Sequence, residues 1–376
     1  MIRPRGRTGA GVLAALVLAL PACERGHGRG RAAAESAPPA AEAPEATAQS
    51  ADSTPRTRPL VLIEIDKPRY GLDSATIQRV ADSVPEAEVV AVRTAEISRR
   101  IGEADAFVGN LTSEQVHAAT RLRWLQVPSG GVEDYGFAEI RDRPIVVTNS
   151  KIIQGPAMAD HAMAMLLALT RRLHLIIPDR ARSRWKPTGY TPIELRGKTA
   201  VVIGVGGAGS AIAERAAAFG MRVIGVDPKD IPPSAAVERI VPPDMLLEVL
   251  PQANVVFMSA PLTAATHHML DRRAFAALPP GAYLVNVSRG GTVDTDALVE
   301  ALRSGRLAGA GLDVTDPEPP PKGHPLWTLE NVILTPHMAG ASDNLLEHRR
   351  ALYTENIRRF TRGLPLLNLV DKAKGY

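Results

Sequence analysis

The sequence predicts an α/β protein of two lobes, each a parallel sheet with helices on both faces. Three observations predict it. The chain has 376 residues, more than one compact domain usually needs. Short apolar runs alternate with stretches of helical spacing, the pattern of strands joined by crossover helices. The alternation also occurs twice, a second series beginning at Lys198.

Taken in order, "PLVLIEI" (59–65) reads as a buried strand and residues 74–84 as a helix. "AEVVAVR" (87–93) is a helix candidate, and "ADAFVGN" (104–110) is the next strand. "LRWLQVPSGGVEDY" (122–135) and "RPIVVTN" (143–149) continue the series. "GPAMADHAMAMLLALTRRLHL" (155–175) reads as one long helix rich in small residues. No repeat of solenoid period interrupts this order.

The second series carries the strongest local signal. "GKTAVVIGVGGAGSAIAERAAAFGMRVIGVD" (197–227) is a strand, a glycine turn, an Ala-rich helix and a second strand ending on Asp227. The turn is Gly204-x-Gly206-x-x-Gly209, with Gly207 and Ala208 between the last two glycines. Such a turn places the N–H groups of a helix start against a pyrophosphate. Asp227 follows Gly209 by 18 residues, near the distance of the acid that binds an adenosine ribose. A carboxylate there repels a 2′-phosphate, so NAD is favoured over NADP, although Lys229 lies two residues on. A bare glycine hexapeptide also fits a Gly-rich turn of any α/β domain; strand, helix, strand and acid in register point instead to a Rossmann-like dinucleotide site.

Further groups fall at three predicted strand ends, where parallel sheets bind their ligands. Arg289 follows "YLVNVS" and precedes a Gly-Gly turn, Asp313 and Glu318 lie in the loop after "AGAGL", and His337 follows "NVILTP". Each alone has a duller reading: the arginine neutralising carbonyls, the glutamate solvated, the histidine capping a helix. Three complementary groups on one nucleotide-binding sheet point instead to chemistry.

From about residue 60 to 370 the chain resembles the D-isomer-specific 2-hydroxyacid dehydrogenases, in "VIGVGGAG", "MSAPLTAATHHML", "LVNVSRGGTVD", "GLDVTDPEPPPKGHPLW" and "NVILTPHMAGAS". The resemblance implies NAD(H)-dependent interconversion of a D-2-hydroxy acid and its 2-oxo acid. It assigns Arg289 to the substrate carboxylate, His337 to proton transfer and Glu318 to the histidine. That fits the chemistry, since the alkoxide left by hydride transfer needs a proton and a planar guanidinium matches a carboxylate. Ser129, Gly130 and Gly131 match the loop whose N–H groups receive that carboxylate, a nest-like anion site. Pro261, Thr266 and Gly340 match the cofactor groove, with plain packing an equal alternative for Pro261 and Thr266, and Asp313 matches a nicotinamide carboxamide partner. The implied architecture is two Rossmann-like or flavodoxin-like, doubly wound domains with a cleft between them. Residues 59–155 with 345–376 form the substrate lobe and 156–344 the NAD lobe, and dimerisation runs through the latter.

Departures sharpen the expectation. Ile152 stands where family members often have glycine, and Glu318 is present where formate-oxidising relatives replace it, which argues against formate. The end at Tyr376 implies no appended regulatory domain of the kind some phosphoglycerate dehydrogenases carry.

The N-terminus points elsewhere. "MIRPRGR" is basic, "GVLAALVLAL" (11–20) is an apolar stretch of ten, and "LPAC" ends on Cys23, the only cysteine. That layout is a secretory signal, too short to span a membrane, and its end resembles a bacterial lipoprotein signal lipidated at Cys23. The alternative is a mis-assigned start codon and a cytoplasmic protein. Residues 24–58 lack aromatics, Ile, Leu and Val, the composition of a flexible tether. The formal charge of +4 resides in this end: residues 1–31 hold six arginines and one glutamate, leaving the remainder near neutrality and with no charge for nucleic acid. One cysteine excludes an intramolecular disulfide and any Cys-rich metal site. An exported dinucleotide fold leaves a second reading open, a membrane-tethered module that binds such acids without turning them over.

Overall fold

In the computed structural model, which describes residues 57–65, 71–132, 137–185, 189–232 and 234–375, the apolar runs become parallel strands. The first series forms β1 (Leu60–Glu64), α1 (Ser74–Ser83), β2 (Glu88–Val92), α2 (Ile97–Arg100), β3 (Ala106–Val108), α3 (Ser113–Ala118), β4 (Trp124–Gln126), α4 (Phe137–Arg141) and β5 (Val146–Thr148). Its strands are all parallel, in the order β2-β1-β3-β4-β5. Two helices follow, α5 (Gly155–Thr170) and α6 (Leu173–Ala181).

The second series begins with β6 (Thr199–Ile203), α7 (Gly207–Ala218), β7 (Arg222–Val226), β8 (Arg239–Val241), α8 (Leu246–Val249) and β9 (Val255–Met258). It continues through α9 (Arg272–Ala277), β10 (Ala282–Asn286), α10 (Thr295–Arg303), β11 (Leu307–Leu312) and β12 (Val332–Leu334) to α11 (Leu345–Thr361). Its seven strands, again all parallel, run β12-β11-β10-β9-β6-β7-β8.

Both sheets are covered on both faces, as parallel sheets require. Successive side chains of a strand point to opposite faces. Val201 and Ile203 of β6 accordingly join one core, and Ala200 and Val202 join another. In β1 the split is Leu60 and Leu62 against Val61 and Ile63. Leu352, Tyr353 and Ile357 of α11 enter the core of Val61 and Ile63, so the last helix packs on the five-stranded sheet. The chain beyond it covers the edge of β5, where Val370 N–H donates to Val147 O (2.9 Å) and Asn149 N–H to Asn368 O (3.1 Å).

Two expectations are corrected. Residues 87–93 are not a helix. Glu88–Val92 is the edge strand β2, with Leu60 opposite Glu88 and Glu64 opposite Val92. Three valines in five residues suit a pleated surface, and pairing with β1 decides between two periods too short to separate. The helix expected over 155–175 is broken. Arg172 takes φ 62°, and Ile193 N–H claims the Thr170 carbonyl at 2.8 Å, so α5 ends at Thr170 and α6 starts afresh at Leu173. Among the described residues no helix is long and apolar enough to cross a membrane. Cys23 and the segment 24–56 lie outside the described residues.

Candidate active site

The glycine turn leaves the C-terminal end of β6, between β7 and β9, where the sheet order switches direction. Gly204 has φ 84°, and a β-carbon on it would lie 2.6 Å from Ala260 Cα. A β-carbon on Gly209 would fall onto the Gly204 carbonyl oxygen, so only glycine lets α7 start this close to its strand. The N–H groups of Gly206, Gly207, Ala208 and Gly209 donate to no acceptor among the described residues. They lie at the start of α7, where Gly206 and Gly207 are exposed, and such unpaired N–H groups can receive a pyrophosphate.

Asp227 sits at the end of β7, half-buried, and braces this turn directly. Its Oδ2 accepts from Val205 N–H at 2.8 Å and its Oδ1 from Lys229 N–H at 2.9 Å. Ser259, which the sequence did not single out, holds the turn from β9, with its Oγ 2.7 Å from Gly204 O. The turn also touches the linker to α5: the β-carbon position of Gly207 is 3.3 Å from Ile152 Cα, and that of Gly155 is 2.7 Å from Gly207 O. In the same linker Lys151 is held below the ordinary lysine range, by burial first and by the Lys229 charge second.

Arg289, Glu318 and His337 follow β10, β11 and β12, which are neighbours in the sheet, so the topology brings them to one edge. The Arg289 turn is pinned by its own carbonyl, which accepts from Asn286 Nδ2 (3.1 Å) and Thr292 Oγ1 (2.7 Å). The loop after β11 lies directly against Gly290, where a β-carbon would overlap the Thr315 carbonyl. That loop then delivers Glu318, whose Oε1 is 2.8 Å from His337 Nδ1. Both side chains are partly exposed, 41% for Glu318 and 32% for His337, so the pair is reached from solvent. With Nδ1–H donated to the carboxylate, Nε2 is the ring atom left for exchange with a ligand.

His337 has φ 50°, a backbone region disfavoured for a side-chain-bearing residue. Asp313, 2% exposed, holds it there: its carboxylate accepts from Met338 N–H (2.9 Å), Ala339 N–H (2.8 Å) and Thr335 Oγ1 (2.6 Å). The Asp313 carboxylate is thus turned into the His337 turn.

The Val127–Val132 loop, after β4, belongs to the five-stranded lobe. Ser150 Oγ donates to Val127 O (3.2 Å), Ser150 N–H to Ser129 O (2.8 Å) and Asn149 Nδ2 to Gly130 O (2.7 Å). Ser129 Oγ donates to Gly131 O. With these carbonyls engaged, the N–H groups of Ser129, Gly130 and Gly131 have no acceptor among the described residues. Three consecutive N–H groups so placed can receive an anion. The loop meets the other lobe across Gln154, whose Oε1 is 3.5 Å from the β-carbon position of Gly130 and whose Cδ is 3.2 Å from that of Gly340.

Pro261 and Thr266 pair with each other, Thr266 Oγ1 donating to Pro261 O at 2.6 Å and accepting from Thr263 N–H at 2.8 Å. The Thr266 hydroxyl is therefore used within its own loop. Asn149, Ser150, Ser259, Asn286, Thr292 and Thr335 all shape the site and were missed by sequence reasoning. All but Ser150 lie inside quoted motifs, and only their folded partners reveal their use, local ones for Asn286 and Thr292 and distant ones for the others.

A helix start offering free N–H groups, beside a guanidinium and an imidazole–carboxylate pair, defines the class as a dinucleotide-dependent oxidoreductase. Comparison with known proteins agrees. Residues 163–339 match the NAD binding domain of D-isomer specific 2-hydroxyacid dehydrogenases. The chain is 35% identical over 287 residues to a glyoxylate reductase of Korarchaeum cryptofilum, covering 73% of this chain and 85% of that protein. It is 32% identical over 301 residues to a D-3-phosphoglycerate dehydrogenase of Methanocaldococcus jannaschii, covering 78% of this chain but only 57% of that protein. Two solved structures, each 26% identical, are similar throughout. A D-lactate dehydrogenase from Aquifex aeolicus complexed with NAD and lactic acid has a TM-score of 0.66, covering 81% of this chain and 96% of that one. A D-isomer specific 2-hydroxyacid dehydrogenase from Xanthobacter autotrophicus in complex with NADPH and MES has 0.73, covering 85% and 100%. The chain belongs to the D-isomer specific 2-hydroxyacid dehydrogenase family.

Proposed function

We propose that the protein reduces a small 2-oxo acid to its D-2-hydroxy acid, reversibly and with NADH. The observation that carries the reading is the 2.8 Å bond from His337 to Glu318 at the strand end beside Arg289. Gly206, Gly207, Ala208 and Gly209 would hold the pyrophosphate through their N–H groups, and Asp227 would meet the adenosine ribose, which favours NADH over NADPH. The nicotinamide, when bound, supplies or accepts the hydride. Arg289 grips the substrate carboxylate and polarises the keto oxygen, and the N–H groups of Ser129, Gly130 and Gly131 receive the same carboxylate. His337 Nε2–H gives its proton to the oxygen that becomes the hydroxyl, while Glu318 orients the ring and balances its charge. In oxidation the same atoms take that proton back.

The test is NADH oxidation by the purified protein with glyoxylate, hydroxypyruvate, pyruvate and bulkier 2-oxo acids, with His337→Ala as control. Turnover lost in the control supports the reading. Binding of NADH with no turnover on any of these acids overturns it in favour of a non-catalytic binding module.

Two properties of the whole chain complete the proposal. Lipidation at Cys23 would tether the enzyme to a membrane on its periplasmic side through residues 24–58; the "LPAC" pattern supports this. Palmitate labelling that persists in a Cys23→Ser variant refutes it. A homodimer is supported by Leu173, Ile176, Ile177 and Trp185, all exposed on and just after α6, with Trp185 at 93%. A monomeric mass in sedimentation at micromolar concentration refutes that.

A further inference from the structure

We propose that His161 is a positioning residue for His337, acting through Thr335 and Asp313; this rests on the reading of His337 as the proton donor. His161 lies on α5, 176 positions before His337 in the chain. Its Nε2 is 2.9 Å from Thr335 Oγ1, which is 2.6 Å from Asp313 Oδ1. A hydroxyl carries one proton, and a carboxylate already receiving the Met338 and Ala339 N–H groups is an acceptor only. Thr335 therefore donates to Asp313, and His161 must donate to Thr335. The geometry assigns the His161 tautomer, with hydrogen on Nε2.

The row His161 Nε2–H, Thr335 Oγ–H, Asp313 carboxylate ends on the group that fixes the His337 turn. Asp313 binds that turn through three backbone contacts: Met338 N–H, Ala339 N–H, and its own carbonyl, which accepts from His337 N–H at 2.9 Å. His337 itself stands at φ 50°, so its orientation depends on these surroundings rather than on its own backbone preference. His161 completes the shell, its Nε2 3.6 Å from Asp313 Oδ1. The helix that carries it is anchored to the dinucleotide turn: Gly155 packs on Gly207, and Asp160 pairs with Arg215 of α7 at 2.7 Å. The relay thus ties the proton-donating turn to the helix flanking the cofactor turn. Without the His161 donor, Thr335 loses the bond that aims its proton at Asp313, and the His337 ring is free to leave the aligned position.

The experiment compares the full chain with His161→Leu, which removes the donor, and His161→Gln, which offers an N–H the same number of bonds from Cβ. With NADH and a reducible 2-oxo acid, His161→Leu should lower kcat by about tenfold while KM for NADH stays within about twofold. His161→Gln should recover most of kcat. Histidine side-chain 15N spectra of the wild-type protein should show His161 protonated on Nε2, a measurement independent of turnover. A wild type that reduces none of the oxo acids defeats the functional reading, and the spectrum alone then decides the relay. Nε2 without a proton overturns the proposal, and so does undiminished kcat in His161→Leu. Equal losses in both variants, with a parallel fall in Tm, would mark a packing role and overturn it too.

Discussion

Asn149→Leu would test whether the Val127–Val132 loop binds the substrate carboxylate, without touching a group that contacts substrate. Asn149 is fully buried, donates to Gly130 O at 2.7 Å and accepts from Lys151 N–H at 3.3 Å. Leucine nearly conserves the volume and removes both bonds. The Gly130 carbonyl, no longer held, turns to find another donor, and the peptide rotation carries the Gly131 N–H out of the anion site. A hydrogen bond to a charged group contributes about 1.5–3 kcal/mol, so losing one raises KM for the oxo acid roughly 10- to 100-fold. The global cost should be about 1–3 kcal/mol, because a buried partner is left unsatisfied. Steady-state kinetics at saturating NADH, together with a denaturation curve, measure both. KM for NADH should stay unchanged, since the cofactor turn is braced by Asp227 and Ser259. A folded variant with an unaltered oxo-acid KM would refute the carboxylate role of this loop.

Three other outcomes follow from the same geometry. Gly209→Ala places a β-carbon on Gly204 O and should abolish NADH binding, read by fluorescence titration; retained affinity would mean the turn is not the pyrophosphate site. Arg289→Lys keeps the charge but loses the planar fork, and should raise oxo-acid KM and cut kcat by about two orders of magnitude, with NADH affinity intact. The Glu355 carboxyl is held below the usual carboxylate range by Arg359 and then Arg358, at 2.7 and 2.9 Å. Its pKa is lower folded than unfolded, so its stabilisation is present above the ordinary glutamate value and lost as pH falls through the folded one. Thermal melts should therefore show a shallower acid decline for Glu355→Gln than for wild type, and identical slopes would contradict the pairing.

Some of this site is written in contiguous residues and some is not. The glycine turn was legible because its constraints are local: the tight turn at Gly204, the close approach at Gly209 and the acid at Asp227 all fall within one strand–helix–strand unit. The strand-end placement of Arg289, Glu318 and His337 was legible for a related reason. Each follows an apolar strand, and strand ends are where a parallel sheet exposes polar groups. The edge strand β2 was not legible, since a short Val-rich run fits two periods and only pairing with β1 chooses between them. The break at Arg172 depends likewise on Ile193 claiming the end of α5.

By itself, then, the sequence determined the two parallel-sheet lobes, the dinucleotide turn and the residue types available for chemistry, because chain sterics and side-chain periodicity act over a few neighbouring residues. Only the tertiary structure decided how those residues are held. Asn149 finds Gly130, Ser259 finds Gly204, and His161 finds Thr335 across 19, 55 and 174 positions of chain. A polar side chain declares no partner until the order of the strands brings one within about 3 Å.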